Sequence, residues 1–268
     1  MKSAIPRAAV GAAIVALVVA AALLSLVWTP FDATAIDIGQ RLAPPSLRHP
    51  FGTDPFGRDL VSMLMVGARN TIAVAAAAAL IGLGGGLPLG LLAAARPGWP
   101  DDLTMRLGDI VFALPAILLA VLLAARFGPG PLNTVAAVGI FNIPVFARIT
   151  RNAGRVLWTK GFVMAARAAG ASPWRISRDH ILPNLAPLLL TQTMVQLSVA
   201  VLADAGLSYV GLGSQPPNPS WGRLLQEAQT MTGFAPWLAF FPGLAVVFTV
   251  LGLGLVGDGL ADDPQRRS

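Results

Sequence analysis

The sequence predicts an all-α integral membrane protein with six transmembrane helices. Only 12% of its 268 residues are charged, whereas about 25% are charged in a soluble domain. Hydrophobic residues make up 55% of the chain, and the mean hydropathy of +0.68 indicates that lipid is the main solvent. Apolar runs of roughly 20 residues recur, each long enough to cross a bilayer. Backbone at that depth must satisfy its own hydrogen bonds, so these runs are expected to be helices.

Six apolar runs, separated by polar segments, are the predicted spans. The first could instead be a secretory signal peptide, but its apolar core is long. Residues 26–30 also do not resemble a small-residue cleavage site, which favours a retained helix. The fourth run is unusually short. The spans cover residues 8–28, 71–95, 103–125, 133–149, 185–209 and 237–256.

The polar stretch after the first span is expected to be a loop on the outer side of the membrane. Four prolines interrupt it, and its last part is a short amphipathic stretch at 60–66. Asp59 is a natural N-cap for a short helix there. We therefore divide the chain into an N-terminal transmembrane helix (1–30), a periplasmic loop (31–70), a five-helix core (71–260) and a cytoplasmic tail (261–268).

The Lys and Arg residues predict that both termini lie in the cytoplasm. Thirteen of the 19 fall in segments that an N-inside arrangement with six spans places on the inner side, as the positive-inside rule requires. The net charge of +6 is therefore explained by topology, and the loops show no basic-aromatic face of the kind that binds nucleic acid. Seven of the thirteen form one block: Arg148, Arg151, Arg155, Lys160, Arg167, Arg175 and Arg178.

Metal, nucleotide and catalytic chemistry find little support in the sequence. There are no cysteines, and His49 and His180 lie far apart and outside the spans. The glycine run at 82–86 lacks the Lys and Ser/Thr of a phosphate loop, so it favours close helix packing or a bend assisted by Pro88. We expect no cofactor on this chain. An intramembrane enzyme would need paired acids, but Asp109 and Asp204 lie at opposite ends of their spans.

A basic segment rich in Ala and Gly, residues 161–184, is predicted to form an elbow at the membrane surface. Residues 162–169 are good helix formers, and Gly170 is expected to end that helix. Ser172 and Pro173 are suited to the N-cap and first position of a second short helix. Composition alone would also allow the alternative that this segment is a positively charged loop whose only role is to fix the orientation of the protein in the membrane. We call residues 161–184 the elbow.

The spacing within the elbow resembles the coupling loop of ABC-importer permeases. The family pattern is Glu-Ala-Ala, three residues, Gly, nine residues, then Ile-x-Leu-Pro. Five positions of this chain match, whereas Met164 stands at the Glu position and His180 at the Ile position. The loss of the acid removes any salt bridge that the family makes from that position. The matching residues are Ala165, Ala166, Gly170, Leu182 and Pro183.

Four further blocks resemble the dipeptide/oligopeptide/nickel family of these permeases. Residues 49–70 (HPFGTDPFGRDLVSMLMVGARN) contain its Gly-Thr-Asp-x-x-Gly-Arg-Asp and Gly-Ala-Arg motifs. Residues 202–222 (LADAGLSYVGLGSQPPNPSWG) resemble a second block, with Asp204 where the family usually has Glu. The others are 235–243 (APWLAFFPG) and 257–260 (GDGL). The order of the blocks is similar to that of the second, or "C", permease subunit.

The resemblance implies a type I ABC-importer permease fold and a set of partners. These are a second homologous permease, two ATPase domains that carry the ATP and Mg, a substrate-binding protein outside the membrane, and membrane lipid. It implies peptides as cargo first, and nickel chelates or other small solutes second. The ATPase side is implied to hold the loop 153–184 through Met164, Ala165, Ala166, Arg167, Ala169, Gly170, Ala171, Pro173, Trp174 and Pro183.

Polar residues of the fifth span are candidates for the cargo pathway. Gln192 and Gln196 share a helix face, Asp204 falls near it and Ser208 extends the row. The glutamines could equally join helices, and Asp204 could be solvated at the outer end of its helix. A secondary transporter or channel would need coupling charges near midplane or an inverted repeat, and neither is visible.

The proline-rich segment that follows the fifth span, residues 211–219, is predicted to be a rigid loop on the outer side. It could be an ordinary connector. In the resembled family this side faces the binding protein, which makes Gln215 and Asn218 candidates for docking contacts.

Overall fold

Helices account for the regular structure of residues 7–261, which are the residues that this computed structural model describes. The all-α prediction is confirmed, since this range holds no β-strand beyond an isolated bridge between Thr53 and Asp59. The predicted tail and the first six residues lie outside it. The helices are α1 (Arg7–Leu24), α2 (Leu60–Ala95), α3 (Trp99–Ala113), α4 (Ala116–Phe127), α5 (Pro131–Trp158), α6 (Gly161–Ala168), α7 (Pro173–Ile176), α8 (Leu182–Tyr209), α9 (Trp221–Ala228) and α10 (Trp237–Ala261).

Five of the six predicted spans are recovered, and the third is replaced by a pair of shorter helices. Five helical segments are long and apolar enough to cross a membrane: α1, α2, α5, α8 with the turns that precede it, and α10. The sixth is the pair α3 and α4, which meet at an angle of 74°. A continuous helix over 103–125 was the wrong prediction, because Pro115 cannot continue a helix and holds Leu114 in extended backbone (φ −104°, ψ 128°).

The second span begins eleven residues earlier than predicted. The amphipathic stretch at 60–66 is not a separate helix but the first two turns of α2, which continues unbroken to Ala95. Asp59 caps it as expected, since its carboxylate accepts a hydrogen bond from the Ser62 backbone N–H (2.9 Å). Asn70, the polar residue directly before the predicted start of this span, has a partner in the structure. Its side chain donates a hydrogen bond to the Pro219 carbonyl (2.7 Å).

The fourth span is long, not short. α5 has 28 residues and carries three arginines of the basic block in its last part. Charged residues are costly at membrane depth, and Arg151 and Arg155 lie beyond the end predicted for this span at residue 149. The structure tolerates them on the helix because acids of α3 pair with them: Asp101 with Arg151 and Arg155, and Asp109 with Arg148.

The closest helix pair is α2 with α5, which run parallel and in contact along most of their length. Three glycines of α2 face residues of α5 exactly sixty positions later in the chain, every fourth residue. A Cβ on Gly90, for example, would fall 2.5 Å from the Cβ of Thr150. The glycine run therefore serves close packing. The facing pairs are Gly82 with Asn142, Gly86 with Phe146, and Gly90 with Thr150.

Two ends of the bundle can now be distinguished. At the elbow end, α2 and α5 finish, α6 and α7 form the elbow, and α8 begins. At the loop end lie residues 25–59, α9 and the C-terminal end of α8. The short helix α9 was not predicted; its first residue, Trp221, is buried and donates its indole N–H to the Leu64 carbonyl (3.1 Å). This bond ties α9 to α2.

Candidate functional site: the elbow and the polar core

The first helix of the elbow ends as the sequence predicts. Gly170 adopts φ +80°, which side-chain-bearing residues rarely adopt. Its N–H donates to the Arg167 carbonyl (2.9 Å), and the next N–H, of Ala171, donates to Ala166 (3.0 Å). This pair of bonds is a Schellman motif, which satisfies the last carbonyls of α6 and reverses the chain.

The second helix of the elbow also starts as predicted, but it does not end within the elbow. The Ser172 hydroxyl accepts a hydrogen bond from the Arg175 N–H (3.4 Å), and Pro173 occupies the first position of α7. α7 then passes through a π-helical turn (Ser177–Ile181) directly into α8. The structure therefore contains one continuous helical segment, Pro173–Tyr209, where the sequence suggested two helices.

The inner face of the elbow is anchored in a buried apolar cluster. Val163 of α6, Ile176 of α7 and Ile181 of the π turn are fully buried. They pack with Phe146 and Trp158 of α5. The Arg167 guanidinium lies over the Trp158 ring, 4.9 Å from its centroid, which adds a cation–π contact between α6 and α5. These contacts fix the elbow against α5, the helix that leads into it.

The outer face of the elbow is not covered by the other residues that the structure describes. Met164 is 59% exposed and Trp174 67% exposed. Ala166 and Ala171 instead lie half-buried against the apolar cluster. The other predicted coupling residues are exposed: Ala165, Arg167, Ala169, Gly170, Pro173 and Pro183.

A groove beside the elbow extends this surface. Trp174 and Pro173 face the last two turns of α2, and a cavity of about 300 Å³ lies between them. Leu92 and Arg96 form its other wall. The elbow thus presents an aromatic ridge next to a groove with one basic residue, a shape suited to holding a projecting segment of another protein.

An ion-pair cluster at the elbow end was missed in the sequence. Asp101, buried in the first turn of α3, accepts two bonds from Arg151 of α5, at 2.6 and 2.8 Å, and a third from Arg155. These bonds fix α3 against α5, the helix that leads into the elbow. The sequence feature that could have pointed to this cluster is the acidic pair Asp101 and Asp102 at the start of a helix.

The pathway candidates on α8 lie mostly inside this chain. The Gln196 side chain is buried and donates its Nε2–H to the Asn142 Oδ1 of α5 (3.2 Å). Gln196 thus joins two helices, the alternative role that the sequence left open. Ser208 is fully buried and accepts a hydrogen bond from the Ser214 N–H (3.1 Å). Gln192 is half-buried.

Asp204 is the least expected residue of this polar core. It has no exposed surface, and neither carboxyl oxygen has a hydrogen-bond partner among the described residues. The hydroxyl of Thr71 on α2 faces it without meeting hydrogen-bond geometry. Solvation at the outer end of the helix, the simpler interpretation of the sequence, is therefore wrong, because Asp204 is fully buried and α2 lies against it at Thr71.

The two docking candidates lie at the loop end around a cavity of about 400 Å³. Asn218 is exposed. Gln215 is half-buried, and its amide donates to the carbonyls of Gly211 (2.9 Å) and Gly213 (3.1 Å). Gln215 thus shapes the loop, while Asn218 offers a free surface beside it.

Charged residues brace the loop end. Arg58 donates to Asp54 (2.6 Å) in its own loop and to Glu227 of α9 (3.1 Å), which also accepts from Arg223 (2.9 Å). Asp59 accepts from His49 Nδ1 (2.9 Å) while capping α2. His49 therefore has a structural role as a hydrogen-bond partner of Asp59. The described residues hold no group of three or more metal-ligating side chains.

The described residues form a bundle of helices long and apolar enough to span a membrane, with an exposed helical elbow at one end. Residues 86–267 match the family described as "Binding-protein-dependent transport system inner membrane component". The match covers more than half of the chain, and the chain belongs to this family.

Individual relatives of this chain are also named as permease proteins of transport systems. A glutathione transport system permease protein, GsiD of Pectobacterium atrosepticum, is 40% identical over 257 residues, 95% of this chain and 85% of the relative. GsiD of an Escherichia coli strain is 41% identical, covering 94% and 84%. A dipeptide transport system permease protein, DppC of Alkalihalophilus pseudofirmus, is 37% identical, covering 97% and 86%.

The solved structures that resemble this chain share its fold. Two inward-facing crystal forms of the MetNI methionine ABC transporter give TM-scores of 0.58 and 0.59. Both are 23% identical, and they cover 72% and 73% of this chain and 91% and 93% of the other. The fold is that of a type I ABC-importer permease, and the chain is a permease subunit of such an importer.

Proposed function

We propose that this chain is the second, "C", permease of a peptide importer and that its cargo includes dipeptides and glutathione. The observation that carries the proposal is the similarity, over nearly the whole chain, to permeases named for those two cargoes. Both are short peptides with free charged ends, so one pathway of modest width and polarity suits both. The chain itself is a non-catalytic subunit.

We further propose that two cytoplasmic ATPase domains hold the elbow from outside the membrane. Support comes from the exposed face of the elbow, where Met164 and Trp174 have no covering partner among the described residues, and from the groove beside them. Closure of the ATPases on ATP and Mg would push α7, and the continuous segment Pro173–Tyr209 would carry the displacement across the membrane. The nucleotide and the metal belong to the ATPases, and this chain binds neither.

The loop end, in this proposal, faces the binding protein. Asn218 and the cavity around Gln215 supply a surface there, and the ion pairs of Arg58 keep it rigid. Both termini then lie in the cytoplasm of a bacterial cell, and a second homologous permease completes the pathway.

The pathway candidates can contact cargo only if α8 moves relative to its neighbours. Gln196, Asp204 and Ser208 are covered by α2, α5 and the loop after α8 in this structure. They reach cargo only when α8 separates from those neighbours, which is the movement that a push on α7 would produce. Gln192, already half-buried, needs the smallest displacement.

Uptake by the reconstituted complex tests the cargo. The chain, its second permease, the ATPases and the binding protein are placed in proteoliposomes, and ATP-dependent uptake of labelled glutathione, dipeptides and a nickel chelate is measured. We expect uptake of the two peptides and little of the chelate. Uptake of the chelate alone would contradict the proposal.

Gly170→Pro tests the elbow. Proline cannot adopt φ +80°, so the Schellman reversal is lost while the membrane spans are untouched. We expect normal insertion but loss of transport-coupled ATP hydrolysis. Gly128→Pro is the matched control, because Gly128 has φ +83° and open surroundings like Gly170 but ends α4. Coupled turnover by Gly170→Pro at the level of the unaltered chain would reject the elbow's role.

Orientation can be tested directly because the natural chain has no cysteine. Single cysteines are introduced at Thr159, beside the elbow, and at Asn218, at the loop end. In intact spheroplasts a membrane-impermeant maleimide should label Asn218→Cys and reach Thr159→Cys only after lysis. The reverse pattern would invert the proposed topology.

A further inference from the structure

Two polar side chains, Asp204 of α8 and Thr71 of α2, face each other in the interior of the chain without hydrogen-bond partners. Neither has any exposed surface. Both carboxyl oxygens of Asp204 and the hydroxyl oxygen of Thr71 lack a partner among the described residues. Buried polar groups almost always have one, so two orphaned groups that face each other call for a physical explanation.

This chain alone encloses the pair. α2 and α8 pack through small side chains around it, and four of these belong to one buried apolar cluster: Ala68 and Ala75 of α2, and Ala200 and Ala205 of α8. α9 also packs on α8 here, since a Cβ on Gly222 would fall 2.2 Å from the Ala205 carbonyl oxygen. The pair is therefore covered without any contribution from a second subunit.

No described charged side chain is placed to balance an ionised Asp204. Arg69 stands two positions before Thr71, so it projects from the opposite side of α2. Arg223 and Glu227 of α9 pair with each other. None of the ion pairs of the described residues includes Asp204. The other charged or titratable residues on elements packed against α8 are Arg126 of α4, Arg148, Arg151 and Arg155 of α5, Arg178, Asp179 and His180 of the π turn, and Asp258 of α10.

The charge state of Asp204 therefore depends on whether α8 and α2 are packed together. A fully buried carboxylate without partners is strongly disfavoured, whereas a neutral carboxyl group can donate its proton to the Thr71 hydroxyl and satisfy both orphaned groups. Once water reaches it, an aspartate is ionised at neutral pH. Separating the two helices thus transfers one proton from Asp204 to water, and closing them takes one proton back.

We propose that Asp204 is a proton-binding site that latches α8 to α2 at the loop end: the closed packing holds one proton, and the separated helices release it. Asp204 lies about 7.5 Å along the helix from the end of α8 at Tyr209, so water at the loop end supplies and receives that proton. Because the closed form binds one proton more, each unit of rising pH favours separation by up to about tenfold. The inference rests on the separation of α8 proposed above and is independent of the cargo.

Cysteine labelling in the assembled complex tests the latch, because the natural chain has no cysteine. Ala200, one turn before Asp204 and 1% exposed, is replaced by cysteine. Its rate of modification by N-ethylmaleimide is measured by mass spectrometry in nanodiscs with ATP and Mg, from about pH 6 to about pH 8. The same cysteine in an Asp204→Asn background corrects for the reactivity of the thiol itself. We expect the rate with Asp204, divided by the rate with Asn, to rise several-fold per pH unit, with about tenfold as the limit.

The outcomes separate the latch from the motion on which it depends. Labelling with the same pH profile in both backgrounds would overturn the proton site and leave the separation of α8 standing. No labelling in either background would overturn both.

Two further variants keep the test decisive if Asp204→Asn does not assemble. Ala93→Cys, at a fully buried position roughly 33 Å along α2 from Thr71, then supplies the reference thiol, and the same rise in the ratio is expected. Thr71→Val keeps the shape of the side chain but removes the hydroxyl that the latch holds, so labelling of Ala200→Cys at about pH 6 should increase several-fold. Unchanged labelling in Thr71→Val would show that Asp204 does not bind α2 through Thr71 and would overturn the latch.

Discussion

Gly86 of α2 lies directly against Phe146 of α5, so closely that a Cβ added to Gly86 would fall 2.6 Å from the Cβ of Phe146 and meet the Ile143 carbonyl oxygen. α5 leads into the elbow and α2 ends beside it. The approach of these two helices therefore sets the position of the elbow as well as the core of the bundle.

Gly86→Ala should destabilise the protein by about 1–3 kcal/mol, because the new methyl group overpacks against backbone. Gly84→Ala is the control: Gly84 is on the same helix with open space around it, and alanine favours helix there. Thermal unfolding in detergent should show a lower midpoint for Gly86→Ala alone. Equal midpoints for the two variants would show that α2 and α5 do not pack as described.

Asp101→Asn should weaken the attachment of α3 to α5. The neutral amide cannot keep the paired bonds from Arg151, and we expect a loss of about 1.5–3 kcal/mol, the range for hydrogen bonds to charged groups. Asp102→Asn, at the exposed neighbouring position, should change the unfolding midpoint little. A loss of similar size in Asp102→Asn would point to the start of α3 itself and not to the ion pair.

Asp204→Asn should be tolerated, whereas Asp204→Lys should not. A charged group without partners costs several kcal/mol when buried, so we expect the carboxyl group to be neutral in this conformation, and asparagine matches the neutral acid in shape. Lysine would bring an unpaired charge into the same space. The unfolding midpoints of both variants are compared with that of Asp258→Lys, which alters an exposed acid of α10.

A large loss of stability in Asp204→Asn would instead mean that the ionised carboxylate has a partner, such as a bound cation, in the working protein. That result would contradict the neutral state proposed for this residue.

The hydrogen bond between Gln196 and Asn142 should appear as coupling in a double-mutant cycle. Replacing either residue with leucine leaves the other buried and unpaired, while replacing both removes the mismatch. We expect a coupling energy of about 0.6 kcal/mol, the average for such bonds in membranes. Strictly additive effects on the unfolding free energy would show that the two side chains do not interact.

The turn of the elbow could be predicted from the sequence residue by residue, whereas the continuation of α7 into α8 could not. Gly170 as the helix stop, and Ser172 with Pro173 as the next helix start, follow from local backbone preferences that few other residues satisfy. The same is true of Asp59 as a cap. The break at Pro115 also follows from a local backbone preference. It was missed because the apolar run continues on both sides of the proline.

The polar core could not be predicted in the same way. Asp101 and Arg151 are 50 residues apart in the chain, and Asn142 and Gln196 are 54 apart. A periodic pattern shows which residues share a helix face, but not which helix that face meets. Asp204 therefore looked like a solvated helix end until the neighbouring elements were in place.

The sequence by itself determined that this protein lives in a membrane, how many times it crosses and where its elbow bends, because hydropathy and turn chemistry act over a few neighbouring residues. Only the tertiary structure decided which charges are paired and which polar residues are hidden. These depend on the distances between helices, and those distances follow from contacts between residues far apart in the chain.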